Sequence, residues 1–128
     1  MRIAGHGIDI VEVARVGRML HEHGERFLSR CFTAGEREAG AGSRREAEHL
    51  AARFAAKEAA LKALGTGLTR GISWPEIEVV RDASGRPGLV LTGRAAEVAA
   101  ELKITQWHVS LSHTETHAVA SVIAVADD

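Results

Sequence analysis

The chain has 128 residues, the length of one domain, and 45% of them are hydrophobic, enough for a packed core and too many for a disordered polymer. Its net charge of -1 excludes a general nucleic-acid binder, which carries a large basic excess, while local basic clusters leave room for an anionic ligand. The single cysteine, Cys31, excludes an intrachain disulfide and reads as a small buried hydrophobe in a reducing compartment. No apolar run approaches the roughly 18–20 residues of a membrane span. Met1–Ile10 alternates apolar and polar residues and contains Asp9, so it does not read as a signal peptide, and a cytoplasmic location is expected.

In chain order, Ile3–Ile10 reads as a short strand in which Gly5 and Gly7 allow another backbone to come close, with Asp9 near its end. Val11, Val13, Val16, Met19 and Leu20 then lay an apolar stripe along a helix, with Arg15 and Arg18 beside it and His23-Gly24 as its stop. A second short helix is expected over Arg26–Phe32, and Thr33 with Glu36 forms the capping box of a third. Ala39–Ser43 is a small loop, and Arg44–Leu64 is the longest helix, closed by Gly65. Ile77–Val80 and Leu89–Leu91 pair around the turn Asp82–Gly85 and Pro87-Gly88. Arg94–Leu102 is an alanine-rich helix, Trp107–Leu111 alternates as a half-buried strand does, and His113–Thr116 turns. Ala118–Val125 is apolar on both faces, so cover on both sides is expected. The class is therefore α+β in a single domain over 1–128, with helices concentrated early and a largely antiparallel sheet late, which the first strand must join.

The long helix sorts into three faces. Ala52, Ala55, Ala56, Ala59, Ala60 and Ala63 share one, a pattern that suits close packing against a backbone as well as simple helix propensity. Leu50, Phe54, Leu61 and Leu64 form a second. Glu58 and Lys62 share a third edge, one turn apart, where they can be read as a surface ion pair or as part of a site. Lys57 falls between the leucine stripe and Arg53, where an ammonium needs an anionic partner or a route to water. Beyond the helix, Gly65-Thr66-Gly67 lets backbone N–H groups approach a phosphate. Lysines, a glycine turn and a carboxylate together suggest a metal–phosphate site, because a carboxylate repels phosphate unless a cation lies between, and Mg²⁺ is held in this way. Asp9 can be read either as a helix cap or as a ligand. His6, His21, His23, His49, His108 and His117 show no zinc-ligand spacing.

Gly7-Ile8-Asp9-Ile10-Val11-Glu12, Arg53-Phe54-Ala55-Ala56-Lys57-Glu58-Ala59 with Gly65-Thr66-Gly67, and Ser110-Leu111-Ser112-His113-Thr114 lie in the order found in the holo-acyl-carrier-protein synthase family, and nearly the whole chain resembles it. The resemblance implies a Mg²⁺-dependent phosphopantetheinyl transferase that uses coenzyme A as donor and an apo acyl carrier protein as acceptor. It also implies a homotrimer with sites at subunit interfaces. Asp9 and Glu58 would be the metal ligands, with Lys62 beside them in catalysis. Arg53, Lys57, Lys62, Gly65, Thr66, Gly67, His113 and Thr114 would contact the phosphates of coenzyme A, and Gly85 and Pro87 would lie near the adenine, where Asp82 replaces a frequent Asn. Arg15, Arg18, Met19 and Arg26 would meet the acidic carrier. The base that takes the serine proton, Glu58 or a metal-bound water, is left open, as is the choice among fatty-acid, polyketide and peptide-synthase carriers. A non-catalytic binding module of the same fold is the alternative; intact Asp9, Glu58 and Lys62 count against it.

Overall fold

Alternation organises the first element. In the computed structural model, which describes residues 1–128, strand β1 (Arg2–Glu12) runs antiparallel to β5 (His117–Ala126), and β5 pairs on its other edge with β4 (Ile104–His113), giving a sheet of order β1-β5-β4. Gly5, Gly7, Asp9 and Val11 are register partners of Ala124, Val122, Ala120 and Ala118, so these residues share one face. The long helix α4 (Glu46–Leu64) packs on that face. A Cβ on Gly5 would stand 1.9 Å from the carbonyl oxygen of Ala63, and one on Gly7 1.8 Å from that of Ala59. The alanine face of α4 thus meets backbone: Ala55, Ala56, Ala59 and Ala60 are all fully buried.

β1 continues to Glu12, past the expected end at Ile10, because its ladder with β5 extends to the Glu12–His117 pair. Helix α1 (Val13–His23) accordingly starts later than the Val11 expected, and its N-cap is Glu12 with no side-chain cap bond. α1 ends at Gly24, α2 (Glu25–Cys31) follows, and α3 (Ala34–Glu38) opens with the Thr33–Glu36 capping box anticipated from sequence. Cys31 is buried and unpaired, as expected. α4 closes on Gly65 in the left-handed region, with φ 78°.

The second half departs from a single sheet. A 3-10 turn (Trp74–Glu76) leads into β2 (Ile77–Arg81), which pairs only with β3 (Pro87–Leu91) as a separate two-stranded hairpin that packs on α4 and β4. α5 (Gly93–Glu101) then returns to β4. β5 also differs from expectation. Ala118, Ala120, Val122 and Ala124 are fully buried under α4, whereas Val119, Ser121 and Ile123 on the opposite face are half-buried, flanked by the exposed Ile8 and Ile10 of β1. Within one chain, only one side of the sheet is covered. No helix is long and apolar enough to cross a membrane.

Candidate active site along the long helix

The same glycines that bring α4 onto β1 build the site. Asp9 follows Gly5 and Gly7 on the face that meets α4, so its carboxylate points at the helix edge that carries Glu58 and Lys62. The Nζ of Lys62 donates to Asp9 Oδ1 at 3.1 Å and to the Ile8 carbonyl at 2.8 Å. Asp9 is therefore a strand residue paired to a helix lysine and caps nothing. Glu58 is half-buried; burial raises its pKa first, the nearby Asp9 carboxylate raises it further, and Lys62 and Arg15 oppose. Two carboxylates that feel each other's charge, with an ammonium already on one, form a place for a second cation.

A divalent ion can be tested against this donor set. Within one chain, no three or more His, Cys, Asp or Glu side chains converge in a way that could hold a metal. Asp9 and Glu58 suit Mg²⁺, which takes one or two carboxylates and completes its shell with water and substrate phosphates. Next to them the turn after α4 presents Gly65 and Gly67 with φ of 78° and 58°; a Cβ at either would meet nothing within 4 Å, so the turn faces open space. Thr66 is half-buried between them.

A second basic station lies nearer the start of α4. Arg53 is 5% exposed, donates from Nη1 to the His49 carbonyl at 3.3 Å, and leaves its buried Nε without a partner. His113 Nδ1 stands 3.9 Å from Glu48 Oε2. Burial lowers the pKa of His49, and the positive charges of Arg53, His113 and Arg81 lower it further, against Glu48. Burial and Arg81 likewise disfavour the charge on Arg53. An anion would relieve all of these groups at once. Arg81 reaches the station from the hairpin, whose turn it braces through Nη1 to the Gly85 carbonyl at 2.6 Å. Asp82 serves as the turn's organiser: its Oδ1 accepts from the Ser84 and Arg86 amides at 2.8 and 3.0 Å, and its bond from the Ser84 hydroxyl lowers its pKa most. Gly85 and Pro87 thus belong to a pinned hairpin end. Thr114 caps the β4–β5 turn, its Oγ1 accepting from the Thr116 and His117 amides at 3.2 and 3.1 Å.

One residue expected at the phosphates is placed elsewhere. Lys57 is fully buried, with its Nζ 2.6 Å from Glu36 Oε1 and 3.0 Å from the Trp74 carbonyl. A helix turns about 100° per residue, so the neighbour of Glu58 points inward while Glu58 points to the site. Lys57 therefore cannot touch a ligand on the surface. Arg15, Arg18, Met19 and Arg26 are exposed; Met19 and Arg26 line a groove together with His23, Phe27, Arg30 and Cys31. Sequence reasoning missed His49 and Arg81 at the basic station and Phe27 and Arg30 in the groove. His49 lies one turn before Arg53 and so was within reach of a helical wheel; Arg81 comes from a distant hairpin and was not.

A helix that carries basic residues and a carboxylate, facing a second carboxylate from the sheet on an α+β frame, suits the class of phosphoryl-type transferases, and comparison with known proteins narrows it. Residues 5–122 match the family model of the 4'-phosphopantetheinyl transferase superfamily. The holo-[acyl-carrier-protein] synthase of Koribacter versatilis is 50% identical over 121 residues, covering 94% of this chain and 97% of its own. The crystal structure of the synthase from Neisseria meningitidis superposes with a TM-score of 0.86 at 35% identity, covering 96% of this chain and 98% of that one. The Bacillus anthracis synthase, solved in complex with CoA (3',5'-ADP), gives a TM-score of 0.81 at 36% identity, covering 99% of this chain and all of that one. The chain belongs to the 4'-phosphopantetheinyl transferase superfamily and, within it, to the holo-[acyl-carrier-protein] synthases.

Proposed function

We propose that the chain moves the 4'-phosphopantetheine group of coenzyme A onto a serine of an apo acyl carrier protein, with Asp9, Glu58 and Lys62 as the reacting centre. The observation that carries this assignment is the convergence of those three side chains, from a strand and a helix far apart in sequence, beside a turn open to solvent. The serine hydroxyl gives its proton to a base at the centre, Glu58 or a water beside it, as its oxygen bonds to the phosphorus next to pantetheine; the bond from that phosphorus to the bridging oxygen breaks, and adenosine 3',5'-bisphosphate leaves with the electron pair. Asp9 and Glu58 would hold Mg²⁺, which when bound supplies positive charge to the pyrophosphate oxygens. Lys62 neutralises charge that grows on the departing bisphosphate. The Gly65-Thr66-Gly67 turn admits phosphate to its backbone N–H groups. Arg53, with its unpartnered Nε, and Arg81, His49 and His113 receive a further phosphate of the nucleotide.

The uncovered face of the sheet supports a homotrimer. Ile8 and Ile10 are 58% and 64% exposed beside Val119 and Ile123, an apolar strip that a second copy would bury. In such an assembly one ligand draws on stations from adjoining subunits. Arg15 and Arg18, with the groove of Met19 and Arg26, suit the acidic surface of a carrier. The single, buried and unpaired Cys31 fits a reducing compartment and so a cytoplasmic enzyme.

Asp9→Ala and Glu58→Ala test the centre. Each is expected to lower transfer by about a thousandfold and to weaken the Mg²⁺ dependence, while the thermal transition stays cooperative. Transfer that persists with its Mg²⁺ response intact in both variants removes the metal pair from the account.

A further inference from the structure

The buried pair of Lys57 and Glu36 takes no part in the chemistry above, yet it joins the elements that carry the nucleotide station. Both side chains are fully buried, 2.6 Å apart. Glu36 Oε1 also accepts the Thr33 amide at 2.9 Å, and Oε2 accepts the Val79 amide at 2.8 Å. Lys57 adds a bond to the Trp74 carbonyl and lies 5.4 Å from the centre of the Phe32 ring. One charge pair thus fastens α4 to the end of α2, to α3, to the 3-10 turn and to the middle of β2. Replacing a buried ion pair with apolar side chains of like volume often costs no stability, so the charges by themselves are a weak reason for this pair; the Thr33 and Val79 amides and the Trp74 carbonyl that it satisfies each add a desolvation cost if left unpaired. Its distinctive property is geometry. The Lys57–Glu36 contact, continued by the bond from the Val79 amide, fixes a distance between α4, which carries Arg53 and His49, and the hairpin, which carries Arg81, Gly85 and Pro87.

We infer that Lys57 and Glu36 are positioning residues for coenzyme A: their pair sets the hairpin against α4 so that Arg53 and Arg81 converge on the nucleotide end of the donor. The inference rests on the functional reading above. Misplacing a binding group by an ångström costs affinity without touching the reacting atoms, so the effect belongs in KM and in nucleotide binding.

The test pairs Lys57→Met with Glu36→Leu in the full chain and measures transfer kinetics, binding of adenosine 3',5'-bisphosphate, and inhibition by inorganic pyrophosphate. The double variant is expected to stay folded, to raise KM for coenzyme A and weaken the bisphosphate by about tenfold, and to leave kcat within about threefold and pyrophosphate inhibition unchanged. An unchanged KM in the folded variant overturns the inference, as does a loss of kcat at constant KM. If the double variant does not fold, Glu36→Asp decides: it keeps both charges, shortens the tie by one methylene, and must weaken the bisphosphate but not pyrophosphate. The wild type measured in parallel separates the two readings, because failure of the wild type to bind coenzyme A strikes the functional assignment and not the pair.

Discussion

At the scale of single residues, neighbours in sequence have opposite fates. Lys57 and Glu58 stand side by side in the same helix, yet one is sealed against Glu36 and the other meets Asp9 and solvent. The need of Lys57 for an anionic partner was legible from its place on the wheel; the identity of that partner was not, because Glu36 lies in a different helix and its carboxylate was already used to explain a capping box. Charge crowding around Arg53 has a consequence for His49. Its pKa lies below the ordinary 6.5 in the folded chain, through burial first and the neighbouring cations second. Between that lowered value and the ordinary one, the unfolded chain holds a proton that the folded chain does not, so stability falls as pH drops through the window below 6.5. His49→Gln is expected to flatten that acid-side loss, read by chemical denaturation at a series of pH values; an unaltered slope contradicts it.

At the scale of elements, two glycines decide how close α4 comes to β1, and thereby whether Asp9 reaches Glu58 and Lys62. The glycines of β1 and the alanines of α4 were each readable from sequence as surfaces of close backbone approach, but nothing in the sequence paired one with the other. The end of β1 was not readable, because the ladder with β5 continues over residues that look helical locally. Nor was the separation of β2–β3 from the main sheet, since strand patterning says which residues pair with some neighbour but not which sheets fuse. Gly7→Ala puts a methyl 1.8 Å from the Ala59 carbonyl oxygen, so α4 must move away. This substitution is expected to cost about 3 kcal/mol and to reduce transfer even well below the melting point. Full activity in a folded Gly7→Ala protein would break the link between helix approach and site assembly.

At the scale of the whole molecule, the uncovered sheet face governs. The apolar character of β5 on both sides was visible in the sequence; within one chain the structure covers only one side and leaves Ile8 and Ile10 exposed beside the other, the face on which the proposed assembly would form. Ile8→Glu combined with Ile10→Lys is expected to convert the assembly to monomers in sedimentation velocity and to lose transfer with it. A monomeric wild type, or a monomeric variant with full activity, contradicts sites shared between subunits. The family's motifs pointed to α4 and β1 from the sequence alone. They did not reveal that the charged residues divide between two stations on α4, with a buried pair underneath holding one of them in shape.

The most direct measurement is intact mass spectrometry of an apo acyl carrier protein incubated with this chain and coenzyme A, with Mg²⁺ and again with chelator. A gain of one 4'-phosphopantetheine on the carrier serine with Mg²⁺, stoichiometric release of adenosine 3',5'-bisphosphate, and no gain with chelator are expected. An unmodified carrier in the presence of Mg²⁺, or equal modification when the metal is removed, would contradict the proposed Mg²⁺-dependent transfer.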